Sequence, residues 1–233
     1  AWIRDFRLVR TIDLQRSNEE SDGEGDTPWP LRYWHWRESR QEIGGAHLQR
    51  SQTSVLLSTH TNDVERLATA IADKLRFPAD LRRAIVLASR FHDAGKDRNS
   101  WQKSIGNINP VERLAKAGAH LRPRETGDHY RHEFGSLFDI SAQTEFHALS
   151  VDEKDLVLHL IAAHHGRARP HFPANEVADS NAEFPAVQSM SADIPLRFAR
   201  LQRRFGRWGL AYLESVLRAA DYAASANPTK ESA

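Results

Sequence analysis

The sequence predicts an all-α fold, a helical bundle with a small irregular or β-containing N-terminal extension. Three observations carry this prediction. After residue 50, apolar residues recur at spacings of three and four through most of the chain. Proline or glycine punctuates several of those periodic segments. Before residue 50 the pattern changes to alternating aromatics and an acidic, glycine-bearing run.

Composition narrows the class further. With 233 residues the chain can enclose one ample core, or one core with an appendage. Apolar residues at 40% and charged residues at 27% suit a soluble domain, and no apolar run approaches the roughly 18 residues of a membrane span. No membrane partner is expected, and the expected location is cytoplasmic. The absence of cysteine excludes disulfides and thiolate metal sites. A net charge of +1 means that bulk charge alone does not argue for nucleic acid. The chain opens on Ala1 and its single methionine is Met190, so it is expected to be a piece of a longer polypeptide.

Residues 1–50 read as an N-terminal extension with an acidic linker. WIRDFRLVRTIDL suits a strand, and PWPLRYWHWRE, with Trp34 and Trp36 two apart, suits a second strand or hairpin. Between them NEESDGEGD has nothing to bury. The aromatic segment fits either docking onto a neighbouring domain or capping its own core.

The helices follow in order. HTNDVERLATAIADKL aligns His60, Val64, Leu67, Ala68, Ile71 and Leu75 on one face, and Pro78 ends it. LRRAIVLASRFHD aligns Leu81, Ile85, Ala88 and His92, with Gly95 as a C-terminal stop. NPVERLAKAG reads as a helix capped by Asn109, with Pro110 in its first turn and Gly118 closing it. HEFGSLFDI begins another. KDLVLHLIAAHHG aligns Val157, Leu160, Ile161 and His164. After a long irregular stretch, residues 167–195, RWGLAYLESVLRAADYAAS aligns Leu210, Leu213, Leu217, Asp221 and Ala224. Loops that long are usually functional or mobile.

His60, His92, His164 and Asp221 thus sit on four stripes that should face the core. One histidine on an apolar face is ordinarily a satisfied core residue. Four polar groups on inward stripes are costly unless they meet one another or a metal. Asp93 follows His92 directly at a helix end, where neighbouring side chains can reach one site. His164 and His165 form a second such pair. With His60, Asp221 and one more histidine, they offer enough ligands for a centre of two divalent cations. His159 falls off its helix's inward stripe and reads as ordinary, so its loss should be nearly neutral. His35, His47, His120 and His147 have no periodic support. His171 lies in a loop from which it could touch substrate. The arginines of RFARLQRRFGR suit a solvated face or phosphate contact, as do Arg122, Arg124 and Arg131, and Arg167 and Arg169. Trp101 suits the core or a base-stacking platform.

The order His60, HDAGK (92–96), YRHEFGS (130–136), AAHHG (162–166) and RAADYAAS (218–225) resembles the HD phosphohydrolase superfamily. More narrowly, it is similar to the HD nuclease domain of the CRISPR-associated helicase-nuclease of type I interference systems. The resemblance covers residues 51–226, leaving 227–233 as a tail and 1–50 as a junction toward a helicase portion. It implies an HD-domain bundle in which His60, His92, Asp93 and Asp221 hold one cation. Asp93 bridges to a second, completed by His132, His164 and His165. His129 is the alternative to His132, which is favoured because HEFGS starts a helix. Lys96 would reach toward the phosphate or the attacking water. For Ser225, plain packing and a role at the site are equally open.

The implied cofactors are two divalent transition-metal ions, manganese, iron, cobalt, nickel or zinc, with magnesium also admitted. The implied activity is hydrolysis of phosphodiester bonds in single-stranded DNA, endonucleolytic and then processive. The implied partners are that DNA, a helicase on the same polypeptide or a separate one, and the CRISPR target-recognition complex. The extension at the start places the nuclease at the C-terminal end of its parent, the less common order. The alternative is an HD phosphodiesterase for cyclic dinucleotides or nucleotides, but the Gly-Tyr-Pro element of the cyclic-dinucleotide enzymes does not follow His164-His165. No Walker motif or nucleophile elbow is present, so neither ATP-driven work nor covalent catalysis is indicated. A helical adaptor stapled by metal is the non-enzymatic reading, and an open coordination position separates the two.

Overall fold

A computed structural model describes residues 53–122 and 130–229 in full, and the backbone of 6–12, 31–36 and 50–51. The chain divides into two compact units, Ala1–His47 and Leu48–Ala233. In the first, β1 (Phe6–Ile12) and β2 (Leu31–Trp36) pair antiparallel, with Phe6 opposite Trp36 and a bulge between Leu8 and Arg10. The acidic run between them lies outside the described residues.

The second unit is built of helices with one small sheet. Its elements are β3 (Arg50–Ser51), β4 (Val55–Leu56), α1 (Leu57–Lys74), α2 (Ala79–Phe91), α3 (Asn99–Ser104), β5 (Leu114–Gly118), α4 (His132–Ser141), α5 (Thr144–His147), α6 (Val151–Ala163) and α7 (Phe184–Ala226). Val64 and Ala68 of α1, Ile85 and Ala88 of α2, Phe134 and Leu137 of α4, Leu160 and Ile161 of α6, and Leu217 of α7 are all fully buried in one core. The prediction of an all-α bundle holds for this unit.

Local expectations fare unevenly. The segment 109–118 is a turn and a strand, not a helix. Asn109 Oδ1 accepts from the Val111 and Glu112 amides at 3.0 and 3.4 Å, which caps a turn. The next residues then pair with β4 antiparallel and β3 parallel. Every residue of β5 is buried, so packing and ladder bonds outweigh local helix preference. The stretch 167–195 is also less irregular than its sequence suggests, because α7 begins at Phe184 with Pro185 in its first turn and runs through Pro195. Its break falls at Gly206, whose φ of 68° and ψ of 171° suit glycine. On α1 the inward stripe is rotated: Asp63 is buried and Leu75 is 44% exposed. Asp63 has a partner, since its carboxylate accepts from Thr229 N at 2.8 Å and Thr229 Oγ1 at 2.6 Å. Residues 227–229, read as tail, are thereby tied to α1.

α6 is the central helix, and this corrects the reading of His159. All residues from Asp155 to Ala163 are buried, so no outward face exists there. His159 points at α7, where its Nε2 lies 2.7 Å from Glu214 Oε1, and Arg169 pairs with the other oxygen of Glu214. Ser150 and Glu153 start α6 with a reciprocal capping box.

The turn after α2 is clamped from three sides. His92 ends the helix in helical geometry, Asp93 leaves it, and a 3-10 turn follows over Ala94–Asp97. Ser136 Oγ of α4 accepts from Gly95 N at 2.8 Å and lies 2.9 Å from the His92 carbonyl oxygen. Tyr130 Oη donates to the Gly95 carbonyl at 2.9 Å. Arg98, buried, donates to Asp139 and to both oxygens of Asp179. Gly95 is therefore no left-handed helix stop. It is small because a Cβ there would lie 2.2 Å from the His132 carbonyl oxygen and 2.8 Å from Tyr130 Oη.

Two outcomes are expected. Gly95→Ala should cost about 1–3 kcal/mol of stability through overpacking, read by thermal melting, and should weaken metal binding in a calorimetric titration. His159→Ala should lower the melting temperature by several degrees, since it leaves buried Glu214 with one partner fewer, at about 1–3 kcal/mol. Its metal titration should match the parent chain.

Candidate metal centre

Five helical segments deliver the seven predicted groups to one place. His60 comes from the first turns of α1, His92 and Asp93 from the end of α2, His132 from the first residue of α4, His164 and His165 from just past α6, and Asp221 from α7. Adjacent residues can converge at His92-Asp93 because helical geometry fails between them: the Asp93 backbone, at φ −105° and ψ 5°, has left the helix.

Asp93 lies at the middle. Its Oδ2 faces His60 Nε2 at 3.3 Å and His92 Nε2 at 3.4 Å. Its Oδ1 faces His132 Nε2 at 3.1 Å and His164 Nε2 at 3.7 Å. Asp221 Oδ1 adds a second carboxylate to the first side, 3.2 Å from His60 Nε2. The His165 ring completes the second, 4.0 Å from the His164 ring and 5.2 Å from that of His132. Two ligand groups therefore share one carboxylate: Asp93, His132, His164 and His165 on one side, and His60, His92 and Asp93 on the other.

Orientation is set from behind. His92 Nδ1 donates to the Ser89 carbonyl at 2.8 Å, and His164 Nδ1 donates to that of Ile161 at 2.6 Å. A carbonyl only accepts, so the proton is held on Nδ1, and a neutral ring turns its Nε2 lone pair to the centre. Glu133 Oε2 stands 3.4 Å from His132 Nδ1, a charge contact without a hydrogen bond. Ser225 Oγ donates to Asp221 Oδ1 at 3.2 Å.

The donor set fits divalent cations. His60 Nε2, His92 Nε2, Asp93 Oδ1, His132 Nε2 and His164 Nε2 are buried and make no hydrogen bond of acceptable geometry. Buried polar atoms are normally satisfied, so five such atoms aimed at one point call for a cation. Electrostatics agree. Burial works to raise the Asp93 carboxyl, but the surrounding imidazoles of His92, His132 and His164 and the ammonium of Lys96 outweigh it and hold it well below the usual range. Asp221 is held down likewise, burial being outweighed by His60 and His92. Burial pushes the His132 and His165 imidazoles down, toward the neutral form that a metal binds.

Lys96 is buried, with Nζ 2.7 Å from Asp93 Oδ2 and 5.3 Å from the centre of the Trp101 ring. Trp101 is 4% exposed and belongs to a small core with Ile105, Leu114 and Ala117, so it is no base-stacking platform. A cavity adjoins the centre, lined by Lys96, His164, His165 and Asp221 together with buried Lys116, half-buried Ser225 and Arg218, and exposed Tyr222. Such access distinguishes a working centre from a closed structural site.

Other sequence expectations fall away from this place. Three of the five arginines in the basic run of α7, Arg197, Arg200 and Arg204, pair with Asp155, Asp193, Asp80 and Asp152, while Arg203 and Arg207 are exposed. Arg131 and Arg167 share Glu176. His120, His147 and His171 are exposed and do not line the cavity. His47, His129 and Arg124 lie outside the described residues, as does the side chain of His35. Two residues were not anticipated. Glu133 had a faint signal in its adjacency to His132. Lys116 had none, because its segment reads as a helix.

No helix among the described residues is long and apolar enough to cross a membrane. Neither a curated protein nor a solved structure matches the chain. The family model described as "Cas3, HD domain" matches residues 44–229, which takes in every group of the centre. The chain belongs to the Cas3 HD-domain family, the metal-dependent nucleases of CRISPR systems.

Proposed function

We propose that this chain hydrolyses phosphodiester bonds of single-stranded DNA during CRISPR target degradation, on a strand delivered by a helicase. The helicase lies on the same polypeptide or on a partner bound to the target-recognition complex. The observation that carries this reading is the division of Asp93 between two ligand groups, beside a cavity that their partners His164, His165 and Asp221 line.

His60, His92, Asp93 and Asp221 would hold one divalent cation, and Asp93, His132, His164 and His165 the other. A pair of such ions supplies a strongly nucleophilic water at neutral pH and neutralises charge on the phosphoryl oxygens during in-line displacement. The chain's own contribution is positional. The carbonyls of Ser89 and Ile161 keep Nδ1 of His92 and His164 protonated. Glu133 places a buried negative charge beside Nδ1 of His132, and Ser225 steadies Asp221. Lys96 places a buried ammonium beside Asp93, where it offsets negative charge brought in by a phosphodiester. Buried Trp101 and partly buried Tyr130 pack in one small apolar cluster beside the turn.

The residues suit imidazole-accepting first-row metals: manganese, iron, cobalt, nickel or zinc. A closed structural staple is the weaker reading, because a staple needs no cavity above its ligands. The division of the chain into an extension (1–50), a nuclease domain (51–226) and a tail (227–233) belongs to this proposal.

Cleavage of circular single-stranded DNA across a metal series, with chelator as control, tests the reading directly. Asp93→Ala should reduce cleavage to background and cut the bound metal, while circular dichroism stays helical; full activity in that variant would refute the bridging role. Glu133→Gln should lower metal affinity about 10- to 100-fold, as losses of ligand-orienting partners do, measured by competition with a chromogenic chelator. An unchanged affinity would remove Glu133 from the centre.

A further inference from the structure

Most of the basic residues that the sequence brings to notice are already occupied. Arg98, Arg131, Arg167, Arg169, Arg197, Arg200 and Arg204 each have a carboxylate within 4 Å. The cavity beside the metal centre is different. Lys116 comes from β5 and is only 7% exposed, yet among the described residues it has neither a carboxylate at ion-pair distance nor a hydrogen bond to its ammonium. Arg218, one helical turn before Asp221, meets only the neutral hydroxyl of Tyr222, at 3.4 Å, and its guanidinium lies 5.8 Å from the centre of that ring. Tyr222 is 52% exposed.

Burial costs the Lys116 ammonium part of its hydration, and among the described residues no carboxylate at ion-pair distance replaces it. The charges available to offset it are those of Asp93, Asp221 and Glu133, which the ligand set already engages. An incoming anion removes the imbalance. Two unpaired cations at different depths of one cavity, with an exposed aromatic face beside the outer one, match the alternating phosphates and bases of an unpaired strand.

We propose that Lys116, Arg218 and Tyr222 form a nucleotide subsite for single-stranded DNA. Lys116 binds the phosphate nearest the metal centre, Arg218 binds an adjoining phosphate at the mouth, and Tyr222 stacks on the base between them. This rests on the nuclease reading for its substrate, but not for its chemistry, since the contacts need no metal. Tyr222 sits next to a ligand residue and Lys116 on a strand beside Lys96. The subsite thus registers the strand against the cleavage point.

The test uses binding as well as cleavage. Affinity for a short oligothymidylate is measured by fluorescence anisotropy on the metal-free full chain, in chelator, across a range of salt. Lys116→Met and Arg218→Met should each weaken binding about tenfold. Each should also flatten the slope of log affinity against log salt by about 0.7, the share of one phosphate contact on a single strand. Lys116→Arg should restore both. Tyr222→Ala should weaken binding about tenfold with an unchanged slope, as loss of stacking does. With manganese, the Lys116→Met and Tyr222→Ala variants should bind the parent's complement of metal and show a raised KM. A Lys116→Met chain with the parent's affinity and slope overturns the subsite, even if the parent cleaves DNA well. If the parent binds DNA with these dependences but cleaves none in any metal, the subsite stands and the nuclease reading fails.

Discussion

Everything in the bundle is arranged around one carboxylate that has been removed from water. Asp93 is about 1% exposed, and each of its oxygens is faced by imidazoles from different helices. A lone carboxylate at that depth would take up a proton and cease to be a ligand. It stays ionised because positive or polarisable groups surround it, so its neighbours cannot vary independently. His60, His92, Lys96, His132 and His164 are terms of the same electrostatic balance. The backbone is bound by the balance too. Asp93 must leave the α2 helix to point where it does, which places Gly95 against the His132 carbonyl and forces it to be small. Ser136, Tyr130 and Arg98 then hold the turn so that neither oxygen drifts.

That balance is incomplete within the chain itself. Five ligand atoms have no hydrogen-bond partner, and several imidazoles sit within about 6 Å of one another. Protonating them together is unfavourable, and leaving their lone pairs unused is unfavourable as well. The centre is therefore a place where the fold withholds stability from itself, and a cation of the right size returns it. The rest of the unit can carry this. From Asp155 onward α6 is buried on all sides, and His164 and His165 follow directly from that buried stretch.

How much of this was legible depends on whether local pattern or distant contact decided it. The residues His60, His92, His164 and Asp221 were legible because a polar group on an apolar stripe is conspicuous, and the stripe reports which way a side chain faces. His132 was legible only through its place at a helix start. The failures share a cause. The segment 109–118 carries good helix signals, but its backbone is taken up by β3 and β4, which lie some sixty residues earlier. His159 was misplaced because the single-face rule assumes a surface helix, and α6 is not one. Lys116 was invisible for the first of these reasons. Its side chain reaches the cavity only because β5 is a strand.

The same distinction settles what the basic residues mean. In sequence, the arginines of α7 look like the strongest candidates for phosphate contact, because five occur within eleven positions. In the fold, the three with carboxylate partners, Arg197, Arg200 and Arg204, face acidic residues of α2, α6 and α7 itself. Their charge is spent on holding helices together. A chain of net charge +1 can still draw in a polyanion if its unpaired cations are gathered at one opening. Clustered charge in sequence thus misleads where the partner is a neighbouring helix. Isolated lysines such as Lys96 and Lys116, far from any basic run, set the sign of the cavity.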